Sequence, residues 1–354
     1  MGLIRILLSL SVVLGHYHGV FGFSMLSGAA PVQAFYVISG FYISLILNEK
    51  YQHTSIGNFY LTRYLRLAPI LLLTALLTYF FITVPAYRES NPIVTSPLYI
   101  SIPVILSQIT LIGQDIFIFF IYDLKNAAFI FSSQINSPFP EGEFIRAYQL
   151  LQVQQGWSIG TEVWFYLIAP FMLRRSVWII ALIIFVSSML RFYFYNVMGL
   201  HGDPFTYRFF PLELGTFLVG NLSYRVYEKL QNNYDAIGNR MVGVIATIII
   251  FWSFIPKNDE KAGWLFVLII GICLPFIFSA TKSSKFDRWL GDLSYPIYVT
   301  HILVLFGLIR NINWIGEKWQ SLFGVIATLV VSILMVYVID KPVDKIRQRI
   351  AKQS

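Results

Sequence analysis

Hydrophobic residues run along this chain in blocks rather than in alternation. Apolar blocks fall near 3–22, 30–48, 67–85, 159–173, 177–193, 208–224, 240–256, 264–280, 294–311 and 321–340. Each approaches the roughly 20 residues that a helix needs to cross a bilayer. Short polar loops separate them, and no polar stretch is long enough for a separate soluble domain. The pattern predicts an all-α, polytopic membrane helix bundle of about ten transmembrane helices. A single membrane domain is expected over 1–345, with a basic cytoplasmic tail over 346–354.

Charge gives the bundle its orientation. Arg5, Lys50, Arg63, Arg66, Arg174, Arg175, Arg225, Lys229, Arg240, Lys282, Lys285, Arg288, Lys341, Lys345, Arg347, Arg349 and Lys352 fall on alternate loops, so seventeen of the 26 Lys and Arg residues collect on one side. The positive-inside rule makes that side cytoplasmic and puts both termini there. One more apolar region, 98–131, is constrained by this assignment. Both flanking loops are inside, so the region crosses twice or not at all. A re-entrant or interfacial segment is favoured, and twelve spans are the alternative. The polar stretch NSPFPEGEFIRAYQLLQVQQ (136–155) is then extracytoplasmic.

Composition agrees. Of 354 residues, 56% are hydrophobic and 12% charged, and the mean hydropathy is +0.66. Soluble domains carry about 25% charged residues. The net charge of +8 reads as topology rather than nucleic-acid binding, because the basic residues sit in short loops. The one cysteine, Cys273, forms no internal disulfide, and no Cys/His cluster suggests a metal. The N-terminus resembles a signal peptide, with SGAAP at 27–31 after an apolar run, but GHYHG at 15–19 breaks that run.

Ionisable residues inside apolar blocks are costly and mark function. Arg5 and His16 are eleven residues apart, about three helical turns, and share a helix face. Ser158 and Glu162 share a face in QQGWSIGTEVWFYLIAPF (154–171), and a carboxylate there suits orienting an imidazole general base. Trp157 and Trp164 stand where an interfacial aromatic belt also puts such rings. Arg63 and Arg66 form a guanidinium pair suited to phosphate, or to simple anchoring at the membrane rim. Ser294 and His301 lie on one face of LGDLSYPIYVTHILV, and Arg208 and Glu213 offer a buried ion pair. Two classes fit these residues. One is an enzyme handling an anionic or acyl substrate; the other is a secondary transporter or flippase for an anionic or lipid-linked sugar.

Several stretches then carry a resemblance when taken in order: Arg5 through LGH at 14–16, FYVISGFYIS at 35–44, Arg63-x-x-Arg66 with Leu67 and Pro69, WSIGTE at 157–162 with FYLIAP, RFFPLELG at 208–215, and LGDLSYPIYVTH at 290–301. From residue 5 to about 340 the chain resembles the acyltransferase 3 family of membrane O-acyltransferases. The resemblance implies transfer of an acyl group, usually acetyl, from acyl-CoA to a hydroxyl of an extracytoplasmic glycan or lipid-linked saccharide. It implies His16 as the leading catalytic residue with Arg5 and Glu162, and Arg63 and Arg66 on the CoA phosphates. Trp157, Ser158, Tyr295, His301, Arg208 and Glu213 are implied as supporting residues. Acetyl-CoA is then the donor co-substrate, with no metal, in a bacterial inner membrane. Many relatives carry a fused esterase-like domain, so this is expected to be the standalone form, with any soluble partner a separate chain. The 113–156 segment looks longer than the family's usual one.

Overall fold

The computed structural model describes residues 1–50, 55–83, 92–132, 142–200, 203–205, 207–230, 235–254, 260–309, 312 and 316–352. A helix occupies each expected apolar block: α1 (Gly2–His16), α2 (Ala30–Leu45), α3 (Ile56–Thr78), α5 (Trp157–Met172), α6 (Val177–Asn196), α7 (Phe210–Lys229), α8 (Asp235–Ile250), α9 (Glu260–Thr281), α10 (Lys285–Ile302) and α11 (Glu317–Met335). A short helix, α4 (Leu98–Thr110), lies between α3 and α5, and α12 (Lys341–Lys352) follows α11. Local chemistry sets the helix starts. Ser55, Ser176 and Ser284 accept hydrogen bonds from backbone N–H groups in the first turns of α3, α6 and α10. Proline opens α2 and α7, where its missing N–H costs nothing.

Six of these helices are long and apolar enough to cross a membrane, by length and composition, among the described residues. Of the other four expected spans, α1, α5 and α8 have 15 or 16 residues, and α7 carries Glu213, Asn221, Arg225 and Glu228. The lipid-facing character is plainest in α6, which buries only Ile180 and Ser187 and exposes Trp178 to 82%.

The region at 98–131 does not cross as a helix. At 13 residues α4 is about 20 Å long, short of a bilayer core. After it the chain departs from the all-α expectation. Strands β1 (Phe120–Asp123), β2 (Ala128–Phe131) and β3 (Phe144–Arg146) form an antiparallel sheet in the order β2-β1-β3, with Phe120 opposite Phe131 and Ile121 opposite Arg146. Asp123 makes the hairpin, accepting from the backbone N–H groups of Lys125 and Asn126 at 2.9 Å. Sheet and α4 share a small core of Ile100, Val104, Tyr122, Ala147 and Leu150. Residues 136–141 of the stretch expected outside the membrane fall outside the described residues.

Two close helix crossings position the site. At the α2/α7 crossing, a Cβ on Gly40 would lie 1.8 Å from the Phe217 carbonyl oxygen, and one on Gly220 would lie 2.0 Å from that of Val37. Glycine lets these backbones touch, as small residues do between membrane helices. Phe217 then stacks on Phe165 with ring centroids 4.3 Å apart. At the α1/α10 crossing, the Asp287 carboxylate accepts from the N–H groups of Gly2 (2.7 Å) and Leu3 (2.9 Å). With no acidic residue in its own first turn, α1 takes its cap from α10. Ser9 Oγ donates to the Ser294 carbonyl, and Tyr17 OH donates to that of His301, both at 2.8 Å.

Residues 341–352 form one helix running through the expected 345/346 boundary, and α12 packs along α3.

Candidate active site

A cavity of about 470 Å³ opens between α1, α2, α3, α5, α10 and α12. Its mouth carries Arg5, Arg63, Arg66, Lys282, Arg288 and Arg347 against Asp287 and Asp292. Its depth is lined by Ser158, Glu162, Tyr295 and Tyr298, and its apolar wall includes Phe35, Ile38, Ile43 and Ile46. The sequence-predicted Arg5, Arg63, Arg66, Ser158, Glu162 and Tyr295 are thus brought into one chamber.

Their partners differ from those the spacing suggested. Arg66 Nη1 donates to both oxygens of Asp340, at 3.0 and 2.7 Å. The Arg5 guanidinium sits over the Tyr42 ring, 5.8 Å from its centroid. Glu162 Oε1 accepts from Ser39 Oγ and from Tyr166 OH, both at 2.5 Å. The expected Glu162–His16 pairing is not made, because His16 lies outside the chamber. Tyr295 OH donates to the Leu67 carbonyl at 2.6 Å and ties α10 to α3.

Ser158 Oγ and Tyr298 OH share a hydrogen bond of 2.6 Å at the chamber's inner end. Beyond it stand two imidazoles. The rings of His16 and His301 are 5.0 Å apart at 42°. His16 ends α1 and is exposed; His301 is fully buried. His301 Nδ1 lies 2.7 Å from the Tyr298 carbonyl oxygen. A carbonyl only accepts, so Nδ1 carries the proton and Nε2 presents a lone pair. That Nε2 is buried with no hydrogen-bond partner among the described residues. His301 in this tautomer accepts a proton and has no Nε2 proton to offer an oxyanion. Arg5, three turns from His16 as its spacing requires, lies about 16 Å from it along α1 and lines the chamber at the mouth. Ser294 shares a face of α10 with His301, as expected, two turns away; it lines the chamber and donates to the Gly291 carbonyl.

The Arg208–Glu213 ion pair is not formed. Arg208 Nε donates to both oxygens of Asp203 (2.8 and 2.9 Å), and its guanidinium covers the Trp157 ring at 4.2 Å. Trp157 is buried beneath that cation and against Tyr207 rather than in an interfacial belt. Arg208 lies within electrostatic range of His16 and Tyr298. Glu213, fully buried, is held by Arg191 Nη2 (2.8 Å) and Gln33 Nε2 (2.9 Å) and serves packing.

The turn after α4 docks α5. Trp164 Nε1 donates to Asp115 Oδ1 at 3.1 Å, and Gly156 and Gly160 leave room for Gln114 and Asp115. Burial pushes the Asp115 carboxyl up to about 6, opposed by the Trp164 bond. Between the ordinary carboxyl value and about 6 the folded protein therefore holds more protons than the unfolded chain. Stability is expected to rise as pH falls from 7 to 5. The Asp115→Asn variant, with its amide oxygen still facing Trp164, should flatten that rise in thermal unfolding followed across pH.

Tyr298, Ser39, Tyr166, Asp340 and Arg347 were missed by the sequence reading. A signal for Tyr298 existed: Tyr295, Tyr298 and His301 recur every three residues. Among the described residues, no three of His, Cys, Asp or Glu converge as metal ligands.

Comparison with known proteins bears on this geometry. Residues 1–337 match the model of the family called acyltransferase 3, described as "Acyltransferase domain". Nodulation protein 10 of Rhizobium leguminosarum bv. viciae is 24% identical over 345 residues, covering 93% of this chain and 86% of that protein. An uncharacterized protein of Aquifex aeolicus (strain VF5) is 24% identical over 207 residues, covering 56% of this chain and 91% of that protein. No solved structure matches.

Proposed function

Since the chain belongs to the acyltransferase 3 family, and so is a membrane acyltransferase, we propose that it moves an acetyl group from acyl-CoA to a hydroxyl of an extracytoplasmic glycan or lipid-linked saccharide. One observation carries the reading. A chamber with a cationic mouth ends at the Ser158–Tyr298 bond, and an exposed imidazole stands on the far side. The excess of Lys and Arg on the mouth side supports turning it to the cytoplasm of a bacterial inner membrane. The family's chemistry displaces the transporter reading.

In this scheme the CoA phosphates stay at the mouth and the pantetheine arm extends inward, past Glu162. The thioester carbonyl reaches the Ser158–Tyr298 pair, whose bond opens to admit it. His16 takes the proton of the acceptor hydroxyl, and the oxygen attacks the thioester carbon. Arg208, near His16, stabilises the tetrahedral oxyanion. As the intermediate collapses the C–S bond breaks, the ester forms, and the imidazolium proton goes to the CoA thiolate. Glu162 holds the wall of the path through Ser39 and Tyr166. Any soluble partner acts on the glycan side.

The test is acetyl-CoA turnover by purified protein in lipid nanodiscs, read as free thiol. Wild-type release that is lost in His16→Ala supports the reading; equal release by the two overturns it. Tyr298→Phe removes the hydroxyl that closes the chamber. Thiol release without acceptor is expected to rise a fewfold relative to transfer, measured as the ratio of free thiol to esterified product. An unchanged ratio would remove the closing role of Tyr298.

A further inference from the structure

We propose that the guanidinium pair gripping a phosphate group of the donor is Arg63 with Arg347, the latter from the C-terminal helix, while Arg66 is a strut. The inference rests on the reading of the donor as acyl-CoA. It reassigns a pair that sequence spacing put at Arg63 and Arg66.

All three guanidiniums line the mouth of the chamber. They are held differently. Arg66 ties α3 to the segment before α12, its Nη1 donating to both oxygens of Asp340. Arg347 is tethered at one corner only. Its Nη2 donates to Asp344 at 2.7 Å, while its Nε and Nη1 are buried and have no hydrogen-bond partner among the described residues. Its nearest further carboxylate oxygen, on Asp340, is 3.9 Å from Nη1, beyond a hydrogen bond. Arg63 Nε is buried and lacks a partner in the same way. Arg347 and Arg63 line the same cavity with Arg66, within electrostatic range of one another.

Buried N–H donors on a cation are costly to leave unpaired. The arrangement persists because α12 packs on α3, and because the Arg66–Asp340 pair pins the junction of the two helices. An oxyanion between Arg63 and Arg347 satisfies the unpaired groups at once. Phosphate fits, with several acceptor oxygens and up to two negative charges, matched by planar guanidinium donors. Asp344 orients Arg347 as a substrate-binding carboxylate partner does, from one turn earlier on the same helix. The helix that supplies Arg347 lies beyond the 337 residues that match the family model.

CoA has two phosphate sources, the 3′-phosphate and the diphosphate, and the test separates them. Binding of CoA and of 3′-dephospho-CoA is measured by calorimetry on the full chain in nanodiscs, for wild type, Arg63→Gln, Arg347→Gln and Arg347→Lys. Thermal unfolding of each variant is recorded beside it. Arg63→Gln and Arg347→Gln are each expected to weaken CoA at least tenfold and to flatten the salt dependence of binding. Arg347→Lys, which keeps the charge but loses the fork, is expected to recover part of that loss. If Arg347→Gln no longer distinguishes CoA from its dephospho form, the 3′-phosphate is the ligand. If it weakens both equally, the ligand is the diphosphate. Should Arg347→Gln not fold, Arg347→Lys carries the test, with a three- to tenfold weakening expected. Wild-type affinity in the folded Arg347 variants, with Arg63→Gln weakened, overturns the assignment alone. No CoA binding by folded wild type overturns the donor reading, and the assignment with it.

Discussion

His16→Ala is expected to lower the turnover number for acyl transfer by roughly 10²–10⁴-fold, the usual worth of a positioned general base, and to leave CoA affinity within about twofold. The two halves of this result come from different parts of the fold. His16 sits beyond the Ser158–Tyr298 bond, packed against His301, and does not line the chamber. The groups that hold the donor are at the other end of α1. Removing the imidazole therefore removes the proton acceptor and leaves the binding surface as it was. Single-turnover measurements separate the two. Loss of CoA binding in a folded His16→Ala protein would place the imidazole in the donor site and overturn this division.

The second large effect falls on stability. Gly40→Ala should destabilise the bundle by about 2–4 kcal/mol, at the upper end of overpacking costs. Its methyl would stand 1.8 Å from the Phe217 carbonyl oxygen, which is backbone and has no rotamer to escape into. Helices α2 and α7 would have to part, and Phe41 and Phe217, both fully buried at this crossing, would lose their packing. Gly243→Ala is the control, since nothing lies within 4 Å of its added carbon. It is expected to be neutral or slightly stabilising, because alanine is the better helix former. Unfolding midpoints in one detergent, compared across wild type and both variants, check the pair. Equal midpoints for Gly40→Ala and wild type would mean that the crossing yields.

The helices were legible because blocks near 20 residues long admit few other readings in a chain this apolar. The sheet was not. IFIFFIYD and AAFIF are rich in phenylalanine and isoleucine, and such short runs read alike as strand or buried helix. What separates them is the turn made by Asp123 and Asn126, a local hydrogen-bond pattern inside an apolar stretch. The site divided in the same way. Residues on one helix face, such as Ser158 and Glu162, followed from the helical period. Partners drawn from distant segments did not: Asp340 is 274 residues from Arg66, and Gln33 is 180 from Glu213. Arg208 misled because it is close to Glu213 in sequence but sits in the turn before α7, where Asp203 meets it first. Arg347 was read as part of a tail because basic residues near a chain end usually anchor topology; the packing of α12 on α3 gives it another setting.

The capping of α1 by Asp287 has a consequence for how the protein is made. The acceptor of the Leu3 N–H lies 284 residues along the chain, as does the carbonyl that receives Tyr17 OH. At ribosomal speeds of about 5–20 residues per second, α1 waits roughly 15–60 s for α10 to emerge. A nascent chain arrested before that point has an uncapped first turn of α1 and no second imidazole beside His16. Partly made copies are therefore expected to be inert toward the donor thioester, and to be the form that membrane quality-control proteases recognise.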